Sequence, residues 1–138
     1  MRTILVADDD EDLLRILDFS LSQSGYSVEK AKDGTETIVK VRELKPDLVL
    51  LDIMMPDVDG FSACRQLKNK EGTKHIPIIM LTAKGKAEDI KTAFKAGAND
   101  YIVKPFMMEK LLGKIEKLLK PRAERDTKSS FHNPQRPR

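Results

Sequence analysis

The sequence predicts an α/β fold: a five-stranded parallel sheet, doubly wound by five helices. Three observations carry this. Five short apolar runs alternate with five segments of helical periodicity over residues 1–120. The central runs are almost entirely apolar, as in strands covered on both faces. Chemistry-bearing side chains follow every strand but the second, and open α/β sheets build sites at the carboxyl ends of their strands.

The elements follow in order. Thr3 to Ala7 (TILVA) is a strand that runs into Asp8, Asp9 and Asp10. Leu13, Leu14, Leu17 and Leu21 then lie on one helical face, and Gly25 stops that helix. Tyr26 to Ala31 alternates weakly, as an edge or second strand does. Asp33-Gly34 opens a helix with Ile38, Val41 and Leu44 on one face, and Pro46 ends it. Asp47 to Leu51 leads as a strand into Asp52, and Pro56 to Gly60 is a loop. A third helix carries Phe61, Cys64 and Leu67. Ile78 to Leu81 is a strand ending at Thr82. The fourth helix spans about 87–96 and stops at Gly97. Asp100 to Val103 is a short strand before Lys104-Pro105. The last helix places Leu111, Leu112, Ile115, Leu118 and Leu119 before Pro121. A βαβαβαβαβα order implies parallel neighbours joined by right-handed crossovers, with helices on both faces.

The 138 residues suit one domain, expected over 1–120, with a basic, disordered tail over 121–138. The net charge of +3 is misleading, because residues 120–138 hold six Lys/Arg and two Asp/Glu. The folded part is therefore close to neutral. No apolar run approaches the roughly 20 residues of a membrane span. Asp8 to Asp10 interrupt the N-terminal apolar run too early for a signal peptide. A single cysteine, Cys64, excludes an internal disulfide framework and fits a reducing compartment, so a cytoplasmic location is expected.

The strand ends carry the functional reading. The first offers Asp8, Asp9 and Asp10, the third Asp52, the fourth Thr82 and the fifth Lys104. Clustered carboxylates repel and call for a compensating cation. Mg2+ takes oxygen ligands, typically one or two carboxylates with waters and a phosphate oxygen. A lysine and a hydroxyl opposite would neutralise phosphoryl oxygens, and an Asp carboxylate can itself accept a phosphoryl group. Each residue also has a plainer explanation. One of Asp8 to Asp10 suffices to cap the first helix; Lys104-Pro105 read singly is a turn, and Thr82 ordinary. Their coincidence at three further strand ends exceeds what capping explains. His75 and His132 lack companions for a metal site, and Cys64 has core spacing. Tyr101 reads as a half-buried aromatic at the edge of the sheet.

The motifs ILVADDDEDLL (4–14), DLVLLDIMMPDVDGF (47–61), PIIMLTA (77–83) and AGANDYIVKPF (96–106) resemble those of the two-component response-regulator receiver family, in order and spacing, over about residues 2–120. The resemblance implies a flavodoxin-like (βα)5 fold with strand order 2-1-3-4-5. It makes Asp52 the phosphoacceptor. It makes Asp9 a direct ligand of Mg2+ (or Mn2+), Asp8 a ligand mainly through water, and the Met54 backbone carbonyl a further ligand. Thr82 and Lys104 would bind phosphoryl oxygens, and Thr82 and Tyr101 would move together on activation. Lys104-Pro105 would be a cis peptide that aims the lysine inward. Asp10 would have a supporting role.

The implied partners are a sensor histidine kinase or histidine phosphotransfer protein, and a downstream protein reached through the face of the fourth helix, fifth strand and fifth helix. A homodimer of the phosphorylated form is a further expectation, for which Asp100 and Lys114 offer opposite charges. Nucleic acid and membrane are not expected partners. The chain is read as a phosphoacceptor switch that catalyses its own phosphorylation and dephosphorylation, acting as a stand-alone receiver. Two alternatives stand beside it. An aspartate-nucleophile phosphatase would usually carry a second Asp two positions after the nucleophile, where Met54 stands. A truncated DNA-binding regulator would need more than residues 121–138 for its output domain. Met54 and Lys84 would flank the path of the hydrolytic water; Met54 has no group to orient that water, so slow self-dephosphorylation is expected.

Overall fold

The computed structural model describes residues 1–83 and 86–120. The elements are β1 (Thr3–Ala7), α1 (Glu11–Gln23), β2 (Ser27–Ala31), α2 (Gly34–Leu44), β3 (Leu48–Asp52), α3 (Gly60–Lys68), β4 (Ile78–Thr82), α4 (Ala87–Lys95), β5 (Asp100–Val103) and α5 (Met108–Leu119). All strand pairs are parallel, and the sheet order is β2-β1-β3-β4-β5. This is the doubly wound, flavodoxin-like architecture that the sequence predicts. The expected basic tail, Pro121, His132 and Lys84 lie outside the described residues.

Alternation along the strands divides the core in two. Leu5, Ala7, Val49, Leu51, Ile78 and Met80 face Ile38 and Val41 of α2, Ala63, Cys64 and Leu67 of α3, and Ala93 of α4. Their neighbours Ile4, Val6, Leu48, Leu50, Ile79 and Leu81 face Leu14, Leu17 and Leu21 of α1 and Leu111, Ile115 and Leu119 of α5. Successive side chains on a strand point to opposite faces, so an all-apolar strand needs a helical layer on each side. β3 and β4 are buried at every residue, whereas β2 and β5 are largely half-buried edges. The weak alternation of β2 reflects that edge position. Its five residues begin at Ser27 rather than Tyr26, which packs against the α1–α5 side of the core.

Three helices start on an aspartate whose carboxylate accepts from the first turn: Asp10 from Asp12 and Leu13, Asp33 from Glu36, and Asp59 from Ser62. α2 closes on Lys45 in the left-handed region at φ 48°, one residue before the predicted stop at Pro46. Gly25, at φ 96°, turns the chain from α1 into β2. Among the described residues no helix is long and apolar enough to cross a membrane.

Candidate phosphoryl and metal site

The sheet order sets β1 and β3 side by side, so their C-terminal residues meet. Asp8 directly follows β1, and its N–H donates to the Ala31 carbonyl at 3.0 Å. Asp52 is the last residue of β3. One carboxylate oxygen from each of Asp8, Asp9 and Asp52 fits within 4.8 Å of the others. Asp8 is fully buried and Asp52 is 6% exposed, whereas Asp9 is open to solvent.

Burial of charge requires compensation. Asp8 Oδ1 accepts from the Asp10 N–H at 3.0 Å, and Asp8 Oδ2 accepts from Lys104 Nζ at 2.8 Å. The same ammonium lies 3.3 Å from Asp52 Oδ1. Lys104 comes from the segment after β5, whose N–H donates to the Thr82 carbonyl at 2.6 Å, and its peptide bond to Pro105 is cis. Burial pulls the Lys104 ammonium down, but the hydrogen bond to Asp8 and the charges of Asp52 and Asp8 outweigh it, so its pKa rises.

Asp52 is the strongly perturbed carboxylate of the cluster. Burial and then the charge of Asp8 push it up from 3.8 to about 6; Lys104 and a backbone hydrogen bond with Met54 oppose this without cancelling it. One ammonium among three carboxylates leaves two negative charges when all are ionised. The donor set is entirely oxygen, the chemistry of a hard divalent cation. The residues present therefore fit such an ion by charge, donor type and spacing.

The other expected residues fall around this cluster in different ways. The Met54 side chain is 73% exposed, between the buried Ile53 and Met55. Thr82 is fully buried, and its hydroxyl donates to the Ile102 carbonyl of β5 at 3.5 Å. Tyr101 is half-buried on β5, edge-on to Phe94 with ring centroids 6.0 Å apart, and 5.6 Å from Lys114 Nζ. Asp100 and Lys114, expected to be available across a dimer, pair within the chain at 3.1 Å. They belong to adjacent elements of one face, so each is already neutralised locally. Asp10 is committed to capping α1. Cys64 is buried as expected, with burial raising its thiol to about 11.

Two residues of this region carry more than their sequence reading suggests. Gly34 and Gly60, both buried, stand where the loop after β3 meets α2 and Asp52. The Asp-Gly pairs at 33–34 and 59–60 are the local signal, but they read simply as helix openings.

A parallel five-stranded sheet with carboxylates from two strand ends and a lysine from a third defines the class of α/β modules with an acidic, cation-compatible edge. A family model for the response regulator receiver domain matches residues 4–116, and the chain belongs to that family. The DNA-binding dual master transcriptional regulator RpaA of Synechocystis sp. is 39% identical over 133 residues, covering 96% of this chain and 55% of that protein. The transcriptional regulatory protein ResD of Bacillus subtilis is 41% identical, covering 97% of this chain and 53% of its own length. The chain thus spans about half the length of these curated relatives. Among solved structures, the chemotaxis protein CheY4 of Vibrio cholerae superposes with a TM-score of 0.82 at 31% identity, covering 86% of this chain and 99% of that one. The receiver domain of sensor histidine kinase PA1611 from Pseudomonas aeruginosa PAO1 superposes at 0.80 with 30% identity over 86% of this chain and 97% of its own, and was solved with a magnesium ion coordinated in its active-site cleft.

Proposed function

We propose that this receiver takes a phosphoryl group onto Asp52 from a phosphohistidine of a sensor kinase or phosphotransfer protein. The observation that carries the reading is the convergence of Asp8, Asp9, Asp52 and Lys104 at one sheet edge. The N–P bond of the donor breaks as an Asp52 carboxylate oxygen forms the new O–P bond, and the imidazole nitrogen leaves with the bonding pair. Lys104 exchanges its contact with Asp52 for a phosphoryl oxygen. Thr82 rotates its long, weak bond away from Ile102 toward another phosphoryl oxygen, and Tyr101 follows within the α4–β5–α5 face.

Asp8, Asp9, Asp52 and the Met54 carbonyl would hold Mg2+, or Mn2+ in its place. When bound, the ion supplies charge neutralisation for the carboxylates and the incoming phosphoryl group. Phosphoryl transfer needs mainly positioning and electrostatic stabilisation, which these residues offer.

The product is a switch rather than a turnover enzyme. Met54 stands where a phosphatase of related design would carry its acid–base carboxylate. The phosphoryl group adds roughly 1–2 negative charges beside Lys104, by analogy with phosphorylated hydroxyl residues. A tenfold population shift needs only about 1.4 kcal/mol of differential interaction. The output partner would read the α4–β5–α5 face, as a protein target or a second copy. A second reading, favoured by the names of RpaA and ResD, makes this receiver the phosphorylation-responsive half of a DNA-binding regulator.

The test is to supply a phosphohistidine donor and, separately, a phosphate ester, each with Mg2+. Stoichiometric phosphoprotein from the first, with no sustained turnover of the second, is expected. Catalytic hydrolysis of the ester would make the chain a phosphatase instead.

A further inference from the structure

The loop between β3 and α3, residues 53–59, carries the Met54 carbonyl and begins beside Asp52. It is clasped at both ends by backbone packed too closely for a side chain. At Gly60, a Cβ would lie 2.7 Å from Ile53 Cα and closer still to the Asp52 carbonyl oxygen. The Gly60 N–H also donates to the Ile53 carbonyl at 2.8 Å. These contacts tie the start of α3 to the strand end itself.

The outer half of the loop is held by α2. A Cβ on Gly34 would lie 2.6 Å from both the Val58 carbonyl carbon and Val58 Cβ, and closer still to the carbonyl oxygen. The Gly34 N–H points at the Pro56 carbonyl at 3.5 Å. The Thr35 hydroxyl donates to the Asp57 carboxylate. Asp57 holds a left-handed backbone at φ 72°, a conformation uncommon outside glycine and better tolerated by Asp and Asn. Ile53 and Met55 are buried in the same cluster as Ile38 and Val41 of α2, with Val58 packed against it. The Met54 backbone is therefore fixed from below by the core and from the side by the first turn of α2.

We propose that Gly34 and Thr35 are positioning residues for the divalent cation: through Val58 and Asp57 they set the loop so that the Met54 carbonyl and the Asp52 carboxylate address one ion. The inference rests on the metal-binding reading given above. An α2 start that shifts by even a few tenths of an ångström moves the loop, because backbone meets backbone there and no flexible side chain can absorb the change. A hard cation with near-octahedral demands is sensitive to such a displacement.

The test is Mg2+ binding measured by titration calorimetry on the whole chain, with no phosphodonor present. Thr35→Val should weaken Mg2+ binding several-fold, Thr35→Ser should restore it, and Gly34→Ala should weaken it tenfold or more. Leu21→Ala, buried in α1 against the opposite face of the sheet, is the control: it should lower the melting temperature and leave the Mg2+ dissociation constant unchanged. If Gly34→Ala does not fold, the Thr35 pair decides. Wild-type Mg2+ affinity in Thr35→Val, or an equal loss in Leu21→Ala, would overturn the inference alone. Absence of Mg2+ binding by the wild type would overturn the metal reading with it.

Discussion

Lys104 lies closer to Asp8 than to Asp52: its ammonium is 2.8 Å from the first carboxylate and 3.3 Å from the second. One ammonium thus bridges two buried anions: a divalent ion would compete with it for the carboxylates, and a phosphoryl group would compete with the carboxylates for it. Its side chain keeps a quarter of its surface in solvent, while that of Asp8 is 1% exposed. The lysine is the partly exposed partner and the aspartate the buried one.

Replacing Lys104 by Met should therefore destabilise the metal-free protein at pH 7 by about 3 kcal/mol, since Asp8 is left buried without its cation; this is the low end for a broken buried pair, because Lys104 is a quarter exposed. The same change should raise Mg2+ affinity, since a competing positive charge is gone. Chemical denaturation with and without Mg2+ checks both: the stability deficit should shrink as the ion is added.

Asp52 gives a pH dependence of defined sign. Its folded pKa of about 6 lies above its ordinary value of 3.8. A raised carboxyl pKa means the folded state holds the proton more tightly, so its contribution is complete below about pH 4 and is lost as pH rises through 6. Metal-free stability should fall across that window by on the order of 2–3 kcal/mol from this group. Asp52→Asn should abolish most of the slope and be more stable than the wild type at pH 7. Mg2+ affinity should fall as pH drops below about 6, where the ion must displace a proton.

Thr82→Val tests the switch. The hydroxyl's bond to Ile102 is at the outer limit of hydrogen-bond length, so its loss should change stability by less than about 1 kcal/mol. Phosphorylation should still occur, but the accompanying change in amide exchange across α4, β5 and α5 should be lost.

Much of this was legible in the chain itself. Four of the five strand-length runs end at Asp, Thr or the Lys104 segment; these are local features, and they place the site at one edge. The directions of its side chains are not local. Lys104 is 96 residues from Asp8, and no spacing rule tells which carboxylate it prefers. The turning of Thr82 toward Ile102 depends on the β4–β5 register, and the internal pairing of Asp100 with Lys114 on how α5 lies against β5. Gly34 is opaque in sequence because a helix-opening glycine and a glycine pressed against another loop look alike until the loop is in place.

The exposed Met54 side chain would bear on the lifetime of an acyl phosphate formed on Asp52. It offers no hydrogen-bonding group to a water approaching Asp52. Met54→Asn should speed hydrolysis of the phosphorylated protein several-fold, measured as decay of the phosphoprotein after removal of the donor. An unchanged lifetime would count against this account of Met54.

The central claim is that the acyl phosphate forms on Asp52. The most direct measurement is mass-spectrometric mapping after phosphorylation with a small phosphodonor in Mg2+, with borohydride reduction to mark the acyl phosphate. A single modification at residue 52, absent without Mg2+ and absent in Asp52→Asn, is the predicted result. Modification at Asp8, Asp9 or any other residue of the wild type, or undiminished phosphoprotein in Asp52→Asn, would contradict it.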